Sequence, residues 1–204
     1  MMITQAPIGA KCFDTRAPLT SALVSAAEVA GFQCAIRYLD QITPEDLKLI
    51  NSFGLACMLV STCRGPGWAP SGPQGLADGQ KHLAQATAVG MQATTIFYDI
   101  EGVGPDPTGL IAQISNWASL FIKPGLYYGA GALLTGLELY KLPVTAYWRG
   151  QSRPLDRFGQ IQEPSCGNMM VQLYPATALI GVPIDISFIQ KDFAGRLPYW
   201  AVSS

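Results

Sequence analysis

The sequence predicts an α/β protein built on a mainly parallel sheet, and three observations carry that prediction. Strand-like and helix-like segments alternate along the chain, as in serial βαβ units. Of the 204 residues, 49% are apolar and only 13% are charged. Typical domains carry about 25% charged residues, so the low value fits strands buried on both faces. Third, no repeat, low-complexity tract or linker interrupts residues 1–204, so they are assigned to one domain. That length just suffices for a compact β/α barrel, which usually takes about 250 residues. Periodicity alone does not decide between a closed barrel and an open doubly wound sheet.

Each element follows from local chemistry. Residues 8–13 (IGAKCF) form a short strand candidate ending at Asp14. Residues 20–30 read as a helix that Thr20 or Ser21 caps and Gly31 stops. Residues 33–39 (QCAIRYL) are the next strand. Thr43 then caps a helix with Pro44 at its first position. Residues 55–61 (LACMLVS) are a strand, followed by the Gly/Pro-rich loop CRGPGWAPSGPQG, whose composition blocks regular structure. A helix over 77–89 ends at Gly90, and 92–99 (QATTIFYD) is a strong strand. Residues 108–121 are helical, 126–129 a strand, 131–140 a helix and 144–148 a strand. The stretch 149–168 is polar and irregular, and 169–174 and 184–188 are the last strand candidates.

Composition excludes several function classes. The net charge is −1, which gives no polybasic signature of nucleic-acid binding. No segment reaches the roughly 18 uninterrupted apolar residues of a membrane span. The opening MMITQAPIGAK lacks the charged and apolar regions of a signal peptide. Five cysteines (Cys12, Cys34, Cys57, Cys63 and Cys166) form no C-x-x-C pair, and they predict reduced thiols made in a cytoplasm. His82 is the only histidine. A catalytic triad or a His-rich metal site would have to use it, and it reads instead as a helix-surface residue. No P-loop is present, and Gly102-Val103-Gly104 is followed by Pro105 rather than by a dinucleotide fingerprint. No metal and no cofactor are expected.

The candidate chemistry lies on Asp99-Ile100-Glu101. Side chains i and i+2 of a strand share a face, so the two carboxyls point the same way, with Cβ atoms roughly 6–7 Å apart. Ile100 points into the packing behind them. Like charges at this range hold a proton on one member, which is what glycosidic bond cleavage asks of a carboxyl pair. D-x-E alone is common at solvated strand ends. Here it follows the apolar run TTIFY, at the strand end where barrel enzymes place their sites. Asp14 and Asp185 occupy similar positions, and for each the plainer alternative is a capping or backbone-bonded structural acid.

A resemblance emerges from these motifs in order: Phe13-Asp14, Phe32 with Arg37-Tyr38-Leu39, Tyr98-Asp99-Ile100-Glu101, Gly125-Leu126-Tyr127, Val171-Gln172-Leu173-Tyr174 and Asp185-Ile186-Ser187-Phe188. The chain resembles the glycoside hydrolase family 25 lysozymes and the related glycoside-hydrolase-like family called domain of unknown function 1906. Residues 75–90 are most similar to the latter. The resemblance implies an irregular TIM-like (β/α) barrel that cleaves the β-1,4 bond after N-acetylmuramic acid in peptidoglycan glycan strands, as a bacteriophage endolysin does. It makes Glu101 the general acid. Asp99 would orient the substrate N-acetyl group, itself able to act as the nucleophile. Asp14 and Asp185 would line the floor and tune the pair, and Tyr127, Trp148, Gln172 and Tyr174 would shape sugar subsites. The departures are Cys12, where a small residue is usual, D-x-E where the second family often has D-x-D, and the unmatched stretch 149–168.

Two further residues are placed on the substrate side. Trp68, in the Gly/Pro loop, is expected either to stack on a sugar at the mouth or to pin the loop. Arg37, at a strand end, is expected to pair with one of the clustered acids. Such a protein would be made in the cytoplasm and reach the wall by holin-type release. The alternatives are a non-catalytic or differently specific glycan-binding barrel, and an unrelated α/β enzyme on an open sheet.

Overall fold

In the computed structural model, residues 1–62, 64–129, 133–150 and 154–203 are described. Cys63, and parts of the predicted 131–140 helix and of the 149–168 stretch, lie outside the described residues. In chain order the elements are β1 (Met2–Gln5), β2 (Lys11–Asp14), α1 (Ser21–Val29), β3 (Cys34–Tyr38), α2 (Pro44–Ser52), β4 (Ala56–Val60), α3 (Gly72–Ala88), β5 (Ile96–Asp99), α4 (Pro107–Ala118), β6 (Pro124–Tyr128), α5 (Gly136–Tyr140), β7 (Ala146–Arg149), β8 (Met170–Gln172), β9 (Thr177–Leu179), β10 (Val182–Ile189) and β11 (Tyr199–Val202).

The sheet closes on itself. Around the barrel the order is β2, β3, β4, β5, β6, β7, β8, β10 and back to β2. The pairs from β2 round to β8 are parallel. β10 alone runs against both of its neighbours. The fold is therefore a TIM-like barrel with one reversed strand, which settles the choice between barrel and open sheet. β1 and β11 pair antiparallel, and β11 touches β4 at a single register position, Ala201 with Cys57.

Strand parity decides what lies inside. Cys12, Cys34, Ile36, Met58, Phe97, Trp148 and Met170 fill the barrel, together with Ala6, Ala10 and Trp200 near the chain ends. The alternate residues, such as Phe13, Ala35, Leu59, Tyr98 and Leu126, face outward and pack under the helices. Fully burying each large apolar side chain of this kind contributes roughly 1.5–3 kcal/mol.

The caps match the sequence closely. Thr20 caps α1, and Thr43 with Asp46 forms a capping box on α2. Helix α3 begins at Gly72, five residues ahead of the position expected from composition, because Ser71 accepts from the Gln74 N–H and Pro73 fits the first turn. The strand expected over 92–99 shortens to β5, since residues 92–94 form a turn. Strands β1, β9 and β11 were not anticipated.

Three other expectations meet the structure. His82 is half-buried rather than a surface residue: its Nδ1 accepts from Trp117 Nε1 at 3.1 Å, and burial lowers its pKa to about 4. Cys12, Cys34, Cys57 and Cys166 are free thiols. Among the described residues, no helix is long and apolar enough to cross a membrane.

Candidate active site

The four acids singled out in the sequence meet at one cavity of about 270 Å³ at the C-terminal end of the parallel strands. Asp14, Asp99, Glu101 and Asp185 line it, with Tyr38, Val60, Tyr127, Trp148, Gly150, Gln172 and Tyr174. Register explains the convergence. Asp14 ends β2 and lies directly opposite Asp185 on β10. Asp99 ends β5 beside Tyr127 of β6, which in turn neighbours Trp148 of β7. Gln172 of β8 is level with Ser187 of β10. Ile100 packs into the outer core, so Asp99 and Glu101 share the inward face that strand parity predicts.

Each carboxyl has a distinct setting. Asp14 is 3% exposed. Its Oδ1 accepts from Tyr38 Oη at 3.1 Å, while its Oδ2 is buried with no hydrogen-bond partner. Burial, reinforced by the charge of Asp185, raises its pKa to about 8, and the Tyr38 bond offsets only part of that. Asp99 receives the Glu101 N–H on Oδ1 at 2.9 Å, and its own N–H bonds Ser61 Oγ at 2.8 Å. Burial takes it to about 8 as well, against the pull of that Glu101 N–H.

Glu101 is less enclosed. Burial raises its pKa, a Tyr127 hydrogen bond opposes the rise and the charge of Asp185 adds to it. The Tyr127 hydroxyl owns one proton and faces two acceptors, Gln172 Oε1 at 2.8 Å and Glu101 Oε1 at 3.3 Å, so its pull on Glu101 is partial. Asp185 is raised by burial and lowered by a bond from Gln172. Small residues leave room for these groups. A Cβ on Gly129 would lie 2.3 Å from Glu101 Oε1, and one on Gly150 would lie 2.6 Å from the Tyr127 hydroxyl.

Tyr127, Trp148, Gln172 and Tyr174 all line the cavity, as the resemblance implies. Trp148 stands edge-on to Tyr127 at 4.5 Å, and Tyr174 is 83% exposed at the rim. Two expected residues stand elsewhere. Arg37 projects from the outer face of β3, where its guanidinium donates to the carbonyls of Thr15 at 2.9 Å and Ala17 at 3.4 Å. Its carboxylate partner is Asp46 of α2 at 3.8 Å, not one of the cavity acids. Parity is the reason: Ile36 and Tyr38 take the cavity side, so Arg37 cannot. Trp68 is also absent from the lining. It packs against the outer core and donates from Nε1 to the backbone carbonyl of Glu101 at 3.0 Å.

Tyr38, Val60 and Gly150 are the lining residues that sequence reasoning missed, and Tyr38 is the one that bonds a cavity acid. The signal was its parity with Ile36, on a strand parallel to the one that ends in Asp14.

No family model matches the sequence, and no curated protein matches it. Solved structures share the fold, among them the following two. One is an uncharacterized protein of B. stearothermophilus, 16% identical with a TM-score of 0.70, the match covering 89% of this chain and 96% of that one. The other is GHIP, a glycosyl hydrolase 25 of Streptococcus pneumoniae described as a virulence factor participating in host cell invasion. It is 12% identical with a TM-score of 0.57, over 89% of this chain and 87% of that one. At these identities the likeness establishes the shared barrel and nothing finer.

Proposed function

We propose that the protein is a glycoside hydrolase of the muramidase type, acting on the glycan strands of peptidoglycan. The observation that carries this reading is the four carboxyls around one cavity, where burial pushes Asp14 and Asp99 up to about 8. Glycoside cleavage needs a proton for the leaving oxygen and stabilisation of an oxocarbenium-like centre. Glu101 supplies the proton in this reading. It is less enclosed than Asp14 and Asp99, burial raises its pKa above the ordinary glutamate value, and Tyr127 fixes one oxygen.

Asp99 is the partner. Its Oδ1 is occupied by the Glu101 N–H, which leaves Oδ2 for a substrate N-acetyl group. As positive charge develops on the sugar, it favours ionisation of Asp99, so the group responds when the transition state needs it. Asp14 and Asp185 hold the proton balance beneath. The fold shared with a glycosyl hydrolase 25 protein supports the same direction. An endolysin role with holin-type release belongs to this proposal.

The test is digestion of purified peptidoglycan by the wild type and by Glu101→Gln, with products read by mass spectrometry. New reducing muramic acid ends from the wild type alone are expected. Equal, null digestion of several wall types by both proteins overturns the reading, and binding without cleavage by both makes the barrel a glycan-binding module.

A further inference from the structure

We infer that Trp68 is a positioning residue for Glu101, acting through the backbone of the acid rather than through substrate. The inference rests on the reading of Glu101 as the general acid, and its geometry is independent of that reading. Glu101 lies just past the end of β5, where no ladder fixes its peptide. Both of its backbone polar groups are bonded to side chains instead. Its N–H goes to Asp99 Oδ1 at 2.9 Å, and its C=O accepts from Trp68 Nε1 at 3.0 Å.

The contact is built rather than incidental. Residues Gly67 and Trp68 run alongside Gly102–Gly104 as a miniature parallel ladder. Gly67 N–H donates to Gly102 O at 2.7 Å, Gly104 N–H donates to Trp68 O at 2.8 Å, and Trp68 bridges Val103. The close approach demands glycine. Gly102 adopts a φ of +73°, and a Cβ there would lie 3.3 Å from Pro66 Cα; at Gly104 a Cβ would meet Trp68 O at 3.0 Å.

The clamp is anchored at its far end. Arg64 lies 5.4 Å above the Trp68 ring and is ion-paired with Asp78 of α3. Asp78 also accepts from Tyr98 Oη at 2.6 Å and Gln74 Nε2 at 2.8 Å. A chain of contacts thus runs from α3 through Arg64 and the indole to the peptide that carries the acid. A loop residue on a free peptide would sweep several orientations, and a misplacement of about 1 Å can cost roughly 100-fold in rate.

The experiment is Trp68→Phe, which keeps a ring and removes the donor. Arg64→Met serves as a second variant that leaves the indole and removes its anchor. Thermal melts establish that each is folded. The expected result for Trp68→Phe is a kcat on peptidoglycan about 10- to 100-fold lower with KM within about 2-fold. The Glu101 carboxyl, followed by 13C NMR titration, should move down toward the ordinary glutamate range. Arg64→Met should shift both readouts the same way by a smaller factor.

If wild-type protein hydrolyses nothing but the Glu101 titration still moves in Trp68→Phe, the clamp stands and the hydrolase reading falls. If the wild type hydrolyses and both folded variants keep its kcat and its Glu101 titration, the clamp is overturned. Should Trp68→Phe not fold, an unchanged Glu101 titration in Arg64→Met overturns it.

Discussion

This barrel carries two buried acid centres, one inside the strands and one outside, and they are made differently. Asp78, on the outer side, is 7% exposed and saturated: Arg64, Tyr98, Gln74 and Gln113 all donate to it. Burial alone would raise its pKa, but those bonds together pull it below the ordinary value. Asp14, on the inner side, is as deeply buried. It has one donor, an unpartnered oxygen and three acidic neighbours, and its pKa rises to about 8. Saturation makes a carboxylate structural, because its charge is already spent on neighbours. Under-saturation beside a cavity leaves a carboxyl that still has something to exchange, and perturbed groups of that kind mark functional sites.

The largest expected effect breaks or keeps this contrast directly. Glu101→Gln should lower peptidoglycan hydrolysis by about 10²- to 10⁴-fold while leaving the melting temperature close to wild type. Asp78→Asn should mainly lower the melting temperature and, through the Arg64–Trp68 contact, reduce activity only by the smaller factor expected of Arg64→Met; reducing-end assays with melts on both proteins compare them. Equal loss of activity from a folded Asp78→Asn would collapse the distinction.

Next in size is stability. Asp78→Leu takes the acceptor from the Tyr98 hydroxyl proton and the partner from Arg64, and should cost about 2 kcal/mol in urea unfolding.

The third effect is the most diagnostic, because it depends on pH. Asp14 has a folded pKa of about 8 against 3.8 for the ordinary carboxyl. The folded state therefore binds the proton more tightly, and stability is lost as pH rises from about 4 through about 8. Asp14→Asn keeps an acceptor for Tyr38 and removes the titration. It should melt higher than wild type at pH 8, with the advantage shrinking toward pH 4. A gap independent of pH would show that Asp14 is not carrying the proton assigned to it.

Much of this was legible in the sequence, and the failures have physical reasons. The four acids could be found because each ends or interrupts an apolar strand, and a parallel barrel brings its strand ends to one rim. Arg37 was misplaced because a strand end was read without its parity: one residue either way changes the face, and Tyr38 held the place assigned to Arg37. The choice between a sugar-stacking and a loop-pinning Trp68 stayed open because a Gly/Pro loop has no periodicity from which to read direction. Its route past Gly102 is set by backbone-to-backbone packing that only the fold supplies. The start of α3 hid inside that loop because Gly72, Pro73 and Gly75 look like breakers. Pro73 is at home in a first turn, and a Cβ on Gly75 would come 2.1 Å from the backbone of Gln113, so glycine there serves helix packing.

The reversed strand β10 has a consequence for the order in which the molecule assembles. It is the piece that joins β2 to β8, and it is made after α1 to α5 and after Asp14, Asp99 and Glu101. Until residues 182–189 are made, the sheet has two open edges and the cavity lacks a wall. The same segment that seals those edges delivers Asp185 opposite Asp14. Closure of the sheet and completion of the acid set are therefore one event, and a nascent chain carries most of its chemistry in an unassembled form until β10 has been made.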